Sequence, residues 1–274
     1  MNKPWEGYFP PFRIFGNLYY TGTVPASTHI VDTGDGLLLF DSGYQQSLYL
    51  VLDGMYRLGL DPRKIKYILH THGHIDHMGA TRALVELTGA RTAIGRLDEE
   101  YANGRQDLSY ARELGMRFTE TFQPDILLDD GDTLSLGNTT VQCMATPGHT
   151  PGAMSFFFHV TDGEKTYRAG LHGGMGINTM CRSFLQKYGL SFECRDQFKA
   201  AMDRLSREKV DIFLGNHMQH NETPKRYARL EAGEREAFVC PTDWSAYALW
   251  ARENLIRMEQ EEQMNEEVTK CGES

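Results

Sequence analysis

The stretch Thr71-His72-Gly73-His74-Ile75-Asp76-His77-Met78-Gly79 is the part of this sequence that decides how the rest is interpreted. Together with His70 it places four of the chain's ten histidines within residues 70–77. Burying a histidine without a partner is costly, so packing alone does not account for such a cluster. The apolar run at 65–69 predicts a strand before the histidines, and residues 78–88 predict a helix after them.

The spacing of these side chains predicts a metal centre. His72 and His74 are two residues apart in an extended turn and point the same way, whereas Asp76 and His77 follow at the start of the helix. Such a turn can offer two imidazoles to one ion, and a carboxylate with an imidazole to a second. Zinc accepts nitrogen and oxygen ligands, and catalytic zinc sites keep a position for water. A polar turn with surface histidines is the alternative, and it explains the clustering less well.

The composition narrows the class of protein. The chain has 274 residues, 41% apolar and 24% charged, which is typical of a globular protein with a buried core. Its formal net charge is −9 and it has no basic run, so we expect no nucleic-acid binding. No apolar stretch is long enough to span a membrane. Without an apolar secretory segment at the N-terminus we expect a cytoplasmic protein, or a periplasmic or secreted one if a signal was removed.

The cysteines and the acidic tail carry less information. The five cysteines are odd in number and form no CxxC pair, which indicates reduced thiols, although a Cys181–Cys194 bridge stays open. The acidic residues within 259–267 are interpreted as a solvated helix face. The sequence is compatible with a monomer or a homodimer, and it predicts a small molecule as the substrate.

Strand and helix patterns occur twice along the chain, which predicts one α/β domain over residues 1–274. We expect an αββα sandwich, with two mixed β-sheets packed face to face and helices on the outer faces. Helices are predicted at 45–59, 195–207 and 243–262, and strands at 12–21, 28–33, 37–40 and 210–214. The polar segment 100–124 is predicted to be a loop-rich insertion at the mouth of the site.

Four motifs in order resemble the metallo-β-lactamase superfamily. The stretch Thr71–Gly79 matches the HxHxDH signature, and Pro147-Gly148-His149 matches the family's Pro-Gly-His turn. Asp41 ends a predicted strand where the family commonly has a buried aspartate, and His217 follows the apolar run at 210–214. The resemblance extends over nearly all of residues 12–250 and implies the metallo-β-lactamase fold.

Within that superfamily the chain looks most like the subclass B3 metallo-β-lactamases. Asp76 is followed at once by His77, as in that branch, and Val210–His217 resembles its closing strand and ligand. Phe238-Val239-Cys240-Pro241, leading into Trp244 and Tyr247, resembles its entry into the last helix. The resemblance also raises the question of a role in antibiotic resistance.

The resemblance implies two zinc ions per chain and a site residue by residue. His72, His74 and His149 would hold the first zinc, and Asp76, His77 and His217 the second. A hydroxide shared by the two ions would open a cyclic amide, and Asp76 would also orient this nucleophile. Asp41, His70 and His220 are expected beside the ligands. His70 could equally be a packed strand residue, and His220 an exposed loop residue.

One departure from the family pattern concerns His172. Glyoxalase II, the acyl-homoserine lactonases and the ribonuclease Z group carry a bridging aspartate here, and B3 enzymes usually carry a small residue. His172 could contact the second zinc or the hydroxide, or it could line the pocket. By crowding the second site it would make β-lactam hydrolysis weak. Met175, Met180 and Met218 are interpreted either as an adaptable wall around the metal mouth or as gap fillers.

Other functions remain open at this level. A lactonase, a thioesterase or another housekeeping ester hydrolase on the same scaffold is the main alternative. A di-iron redox protein is less well supported, because that group usually has glutamate where His74 stands and carries a fused flavodoxin domain. A non-catalytic binding module would be expected to have lost ligands, whereas all six candidates are present.

Overall fold

Two β-sheets packed face to face form the centre of the molecule, and the computed structural model describes residues 3–272. The first sheet contains, in spatial order, β1 (Phe12–Phe15), β2 (Leu18–Tyr20), β3 (His29–Asp32), β4 (Leu37–Phe40), β5 (Ile65–Leu69), β6 (Arg91–Gly95) and β7 (Ile126–Leu128). The second contains β12 (Ile212–Leu214), β11 (Thr166–Leu171), β10 (Met154–Thr161), β9 (Thr139–Ala145) and β8 (Thr133–Leu136). Both sheets are mixed: β4 to β7 are parallel, as are β11 and β12, and the other neighbours are antiparallel.

The helices lie on the outer faces of this sandwich. They are α1 (Leu48–Arg57), α2 (Ile75–Met78), α3 (Thr81–Thr88), α4 (Glu99–Ala102), α5 (Arg182–Tyr188), α6 (Glu193–Leu205), α7 (Thr223–Glu231) and α8 (Asp243–Gly272). Short 3-10 turns occupy Pro4–Gly7, Gln45–Ser47, Pro62–Lys64, Arg96–Asp98 and Arg112–Leu114. None of the helices in residues 3–272 combines the length and the apolar character needed to cross a membrane.

Three apolar layers account for the sandwich. Between the sheets, Phe40 of β4 stacks on Phe158 of β10, with ring centroids 4.9 Å apart. On the outer face of the first sheet, Leu39 packs with side chains of α1 and α3. On the outer face of the second, Phe157 packs against Trp244 of α8. Because both faces of β4 are covered, all four of its residues are buried. The predicted αββα fold is confirmed.

The elements differ from the prediction in detail. The run 78–88 is not one helix, because α2 ends at Met78 and α3 begins at Thr81. Ala80 between them donates its N–H to the carbonyl of Gly43, and a Cβ on Gly79 would lie 2.4 Å from the Ile75 carbonyl oxygen. The chain therefore bends where it packs tightly against the end of β4. The segment 12–21 forms two strands, and the last helix continues past the predicted end at 262.

The insertion at 100–124 borders the turn that carries the histidines. It contains the end of α4 and one 3-10 turn, and the rest has no helix or strand, as expected of a loop-rich insertion. The carbonyl of Ser109 accepts the N–H of Ile75 at 2.8 Å. Tyr110 is in a left-handed conformation with φ 62°, and its ring centroid lies 5.3 Å from that of His74. The insertion thus forms one edge of the site.

The structure decides between the alternatives that the sequence left open for the cysteines and the methionines. Cys143, Cys181, Cys194 and Cys240 are free thiols in the described part of the chain, so the Cys181–Cys194 bridge is not formed. Met180 and Met218 are buried in the two cores that flank the second sheet, and Met175 is nearly as buried. Gap filling therefore describes Met180 and Met218, whereas Met175 lines the groove beside His220.

Candidate metal centre

Three histidines from both sheets form the first group. His72 and His74 lie between β5 and α2, whereas His149 lies in the turn between β9 and β10. Their candidate ligand atoms lie within 4.8 Å of one another, and His72 Nε2 is 3.1 Å from His74 Nδ1. The backbone of Gly174 packs directly against the imidazole of His149. A Cβ at this position would lie 2.6 Å from the His149 Cδ2 atom. A glycine at this position therefore leaves room for the imidazole.

A carboxylate and two histidines form the second group. Asp76 and His77 lie on α2, and His217 follows β12. Asp76 Oδ2 is 3.2 Å from His77 Nε2 and 3.6 Å from His217 Nε2. The rings of His72 and His77 have centroids 4.1 Å apart, so the two groups are adjacent. The structure therefore brings together all six predicted ligands, in the two predicted sets.

Four of the five candidate ligand histidines are held by a contact to Nδ1, the ring nitrogen that points away from the centre. The partners are the Thr71 hydroxyl for His72, Asp41 for His77, the Gly176 carbonyl for His149 and the Pro25 carbonyl for His217, at 2.7 to 3.0 Å from Nδ1. Such contacts fix the ring orientation and the tautomer of metal-binding histidines. In each case the Nε2 atom is left to face the centre.

Burial keeps the first group uncharged. It lowers the pKa of His72 and of His74 well below the usual 6.5, and that of His149 to about 4. The positive charge of His77 lowers these pKa values further. Neutral imidazoles present free lone pairs, which is the form that binds a metal ion.

The second group has the opposite electrostatics. Burial lowers the pKa of His77, but the carboxylates of Asp76 and Asp41 outweigh this and raise it to about 10. Burial raises the pKa of Asp76, yet His77 and His217 bring it well below its usual range. His77 Nε2 is nevertheless buried without a hydrogen-bond partner. Protonated His77 thus balances the charge of Asp76, a bound cation would take the place of that proton, and the donors of the group suit zinc.

Comparisons with known proteins agree with this arrangement. A family model described as "Metallo-beta-lactamase superfamily" matches residues 21–162, more than half of the chain. The chain belongs to the metallo-beta-lactamase superfamily. Among solved structures, its fold is similar to BJP-1, a subclass B3 metallo-beta-lactamase of Bradyrhizobium japonicum, with a TM-score of 0.86 and 27% identity over 96% of this chain and 98% of that one. The similarity to subclass B3 expected from the sequence is confirmed.

Curated relatives in the superfamily match a shorter segment. A probable metallo-hydrolase of Burkholderia pseudomallei is 39% identical over 95 residues, which are 34% of this chain and 31% of the relative. A hydroxyacylglutathione hydrolase of Pseudomonas putida is 38% identical over 90 residues, 33% of this chain and 27% of the relative. The matches therefore span about a third of these relatives or less. They support a superfamily hydrolase and do not identify a substrate.

Asp98 is a buried residue beside the first group that the sequence analysis did not identify as part of the site. Its Oδ2 atom accepts the Gly73 N–H at 2.7 Å and the Thr150 hydroxyl at 2.6 Å, and Oδ1 accepts the Gly152 N–H at 2.7 Å. Burial raises its pKa to about 6, although these three donors oppose the shift. One carboxylate thus joins the turn that carries His72 and His74 to the turn that carries His149.

Replacing Asp98 with asparagine is expected to weaken zinc binding at the first group by about 10–100-fold, as for other partners that orient ligand loops. The amide nitrogen of asparagine would face an N–H or O–H donor, so one of the three hydrogen bonds is lost. The measurement is competition with a chromophoric chelator, together with the absorption spectrum of the cobalt-loaded protein.

Asp125→Asn is the matched control for this prediction. Asp125 accepts hydrogen bonds from the N–H and hydroxyl of Thr92, away from both groups. We expect this variant to keep the cobalt spectrum and the zinc affinity of the wild type. Equal losses of affinity in the two variants would mean that Asp98 acts only on overall stability.

His172 does not lie in the second group. Its ring is fully buried, and its Nε2 atom is 3.1 Å from Nδ1 of His220. His220 stands between, with ring centroids 5.0 Å from both His172 and His217. The possible direct contact of His172 with the second site is therefore not formed. His172 contacts His220, and His220 in turn lies beside the candidate ligand His217. Crowding by His172 itself finds no support in this geometry.

The remaining predicted residues lie behind the ligands. Asp41 Oδ2 is 2.8 Å from His77 Nδ1 and accepts the Thr71 hydroxyl at 2.7 Å, while Oδ1 accepts the Thr71 N–H at 2.8 Å. His70 is buried, and its Nε2 atom is 3.2 Å from the Thr81 hydroxyl. Asp41 thus contacts a candidate ligand side chain directly, whereas His70 contacts Thr81 at the start of α3.

Proposed function

We propose that this chain is a dinuclear zinc hydrolase that opens a cyclic amide, in the manner of a subclass B3 β-lactamase. The observation that carries the proposal is the adjacency of the two complete groups, each with nitrogen or oxygen donors turned towards the centre. The structural similarity to BJP-1, a subclass B3 metallo-beta-lactamase, supports the same activity.

The residues present fit two zinc ions. His72, His74 and His149 would hold one, and Asp76, His77 and His217 the other. Two bound zinc ions would supply an activated water and polarisation of the substrate carbonyl. The Nε2 atom of His77 is buried without a hydrogen-bond partner, 3.2 Å from the Asp76 carboxylate, and this donor position most clearly fits a bound cation.

The protein's own groups would orient the reaction. The Asp76 carboxylate would accept a hydrogen bond from the attacking water and direct its lone pair towards the carbonyl carbon. The carbon–nitrogen bond then breaks, and the proton from the water goes to the departing nitrogen. Asp41 would keep His77 in place during this sequence through the 2.8 Å contact with its Nδ1 atom.

A second candidate is a lactonase or a thioesterase, or another housekeeping ester hydrolase. The similarity to the P. putida protein named as a hydroxyacylglutathione hydrolase favours this class. The same six ligands would serve, because water attack on a carbonyl carbon is common to amides and esters. In both cases the partner is a small molecule, and we propose that the protein acts as a monomer or a homodimer.

The test combines metal analysis with a substrate panel. Protein purified without chelators should contain two zinc ions per chain, and one ion or none would refute the dinuclear site. The zinc-loaded protein is then assayed on penicillins, cephalosporins, carbapenems, lactones and thioesters. Opening of the β-lactams supports the first candidate. Turnover confined to lactones or thioesters rejects it in favour of the second.

A further inference from the structure

Two histidines outside the candidate ligand set form a contacting pair beside the second group. His172 directly follows β11 and is fully buried, whereas His220 lies three residues after His217 and is half-buried. The Nε2 atom of His172 is 3.1 Å from Nδ1 of His220. The backbone N–H of His220 donates to the His217 carbonyl at 3.1 Å, so a tight turn ties the pair to the second group. The reaction described above gives this pair no role.

The surroundings of the two rings favour one pair of tautomers. Burial lowers the pKa of both histidines well below 6.5, so both are neutral, and their hydrogen bond needs one N–H and one lone pair. If His220 Nδ1–H donated, neutral His172 would carry a buried Nδ1–H that has no acceptor among the described residues. Buried N–H groups without an acceptor are rare. If His172 Nε2–H donates instead, both rings take the Nε2–H form, which is the intrinsically favoured tautomer of histidine.

Two of the candidate ligands have the opposite arrangement. The Nδ1 atoms of His149 and His217 lie 2.7 and 2.8 Å from the carbonyl oxygens of Gly176 and Pro25. Because a carbonyl only accepts, Nδ1 of these rings carries the proton and Nε2 presents a lone pair to a metal ion. At His220 a donor replaces the carbonyl, so Nδ1 presents the lone pair and Nε2 carries the proton. His220 is therefore a hydrogen-bond donor beside the centre, and not a further ligand.

His220 lines a groove beside the second group. The groove has a volume of about 700 Å³, within the range of small-molecule sites, and Tyr247, Trp250 and Asn254 also line it. The Tyr247 ring lies 5.4 Å from the His220 ring and stacks on Trp250, which supports the imidazole from one side. The two nitrogens of an imidazole point in nearly opposite directions, so Nε2 of His220 points away from His172. Its N–H is thus available to a molecule in the groove.

The charges of the groove indicate which acceptor suits this N–H. Glu222 and Asp243 line the groove, whereas their cationic partners Lys225 and Arg226 are not among the lining residues in the described part of the chain. A carboxylate in the groove would lose hydration without gaining a cation on these walls. An uncharged oxygen, such as an amide or ester carbonyl, can accept the hydrogen bond without this cost.

The order of proton transfer relates the groove to the reaction. Asp76 is proposed to hold the attacking water, whose proton passes to the departing atom, so the departing side of the substrate lies towards the second group. Asp76 Oδ2 is 3.6 Å from His217 Nε2, and the His220 ring lies 5.0 Å beyond that of His217. We propose that His172 fixes His220 in the Nε2–H form, and that this N–H binds an uncharged oxygen on the departing side of the substrate. This inference rests on the proposed function.

Nitrogen-15 NMR of metal-free protein tests the tautomers without turnover. Long-range proton–nitrogen spectra distinguish protonated from unprotonated ring nitrogens, and the two rings are assigned by their loss in His172→Gln and His220→Gln. Both should show a protonated Nε2 and an unprotonated Nδ1. His172→Gln keeps an N–H donor and should preserve the His220 pattern, whereas His172→Leu should shift Nδ1 of His220 towards the value of a free lone pair. A protonated Nδ1 on His220 would overturn the inference.

A titration of the same metal-free protein tests the groove. N-butylacetamide, which carries one uncharged carbonyl, should shift the Nε2 resonance of His220, and pentanoate at equal concentration should shift it less. The exposed His159 on β10 is the internal control, and its resonances should not respond to either compound. Equal shifts at His220 and His159, or a stronger response to pentanoate, would contradict the proposed acceptor.

Kinetics with matched substrates separates the inference from the proposed function. The pairs carry or lack one carbonyl on the departing side: acetyl thioesters of N-acetylcysteamine and of pentanethiol, and cephalosporins with a 3-acetamidomethyl or a 3-propyl group. Zinc-loaded wild type is expected to have about three- to tenfold lower KM for the member with the carbonyl, at similar kcat. His220→Phe should remove this preference, and His220→Gln, whose amide N–H replaces Nε2–H, should retain it. Zinc content is measured in each variant, and His159→Phe is the control.

The outcomes of these experiments are distinguishable. Turnover without a preference for the carbonyl, or with equal effects of His220→Phe and His159→Phe, refutes the inference and leaves the proposed function intact. The expected tautomers and amide response without turnover of any substrate refute the proposed function, and they support His220 as a donor in the groove.

Discussion

Asp76→Asn is expected to reduce zinc content from two ions per chain to one and to slow hydrolysis about a thousandfold. A catalytic metal ion contributes several kcal/mol to the transition state, and each 1.4 kcal/mol corresponds to a factor of about ten in rate. The substitution replaces the anionic member of the second group, whose oxygen lies 3.2 and 3.6 Å from the two histidine nitrogens. It also removes the acceptor proposed to orient the water. The measurements are zinc content and kcat/KM on whichever panel substrate is turned over.

The control for this substitution is Asp162→Asn. Asp162 accepts the N–H groups of Glu164 and Lys165 in an exposed turn, so the same loss of charge occurs away from the site. This variant should retain both zinc ions and the wild-type rate. If Asp76→Asn keeps two tightly bound ions and full activity, Asp76 is neither a ligand nor an orienting group.

Asp41→Asn is expected to destabilise the metal-free protein by about 3–5 kcal/mol, the usual effect of breaking a buried charge pair. Asp41 and His77 are 1% and 0% exposed, so the His77 imidazolium would lose a partner that water cannot replace. Asparagine tolerates the left-handed backbone of this position, where φ is 56°, so the change removes the charge and a hydrogen bond to Thr71 or His77 without straining the backbone. With zinc present, the second site is expected to weaken about 10–100-fold.

The pH dependence of unfolding tests whether the Asp41–His77 pair accounts for this loss of stability. The pKa of His77 rises from 6.5 to about 10 on folding, so its contribution is complete below 6.5 and is lost as the pH rises towards 10. Metal-free wild type should therefore lose stability over that interval, and Asp41→Asn should lose less. The histidines whose pKa values are lowered on folding affect stability only below pH 6.5, so they do not contribute to the change measured between pH 6.5 and 10. Urea unfolding in EDTA measures both proteins, and identical slopes would exclude the Asp41–His77 pair as the cause.

The sequence predicted which side chains come together at the candidate metal centre, because the spacing of most of them is local. His72, His74, Asp76 and His77 lie within six residues, so the strand-to-helix turn alone fixes most of their geometry. His149 and His217 required the resemblance to a family, because their approach depends on how the second sheet packs. The apolar runs similarly predicted the layers of the sandwich, but not where the helix at 78–88 is interrupted.

Asp98 and His172 show what the sequence could not indicate. The three hydrogen bonds of Asp98 reach residues 25 to 54 positions away, and no local pattern distinguishes it from the neighbouring Glu99 and Glu100. The sequence left open whether His172 contacts the second site, and its direction is set by the packing of β11 against β12 and by His220. Both depend on tertiary contacts, which composition and periodicity do not encode.

The origin of each group in two distant parts of the chain has a consequence for biosynthesis. A nascent chain that has emerged only as far as β7 contains His72, His74, Asp76 and His77, but neither His149 nor His217. The first set is complete only after His149, which follows β9, has been synthesised, and the second only after His217, which follows β12. Zinc capture is thus expected to be a late event, and a fragment ending at β7 should recover tight zinc binding only when the remainder of the chain is supplied in trans.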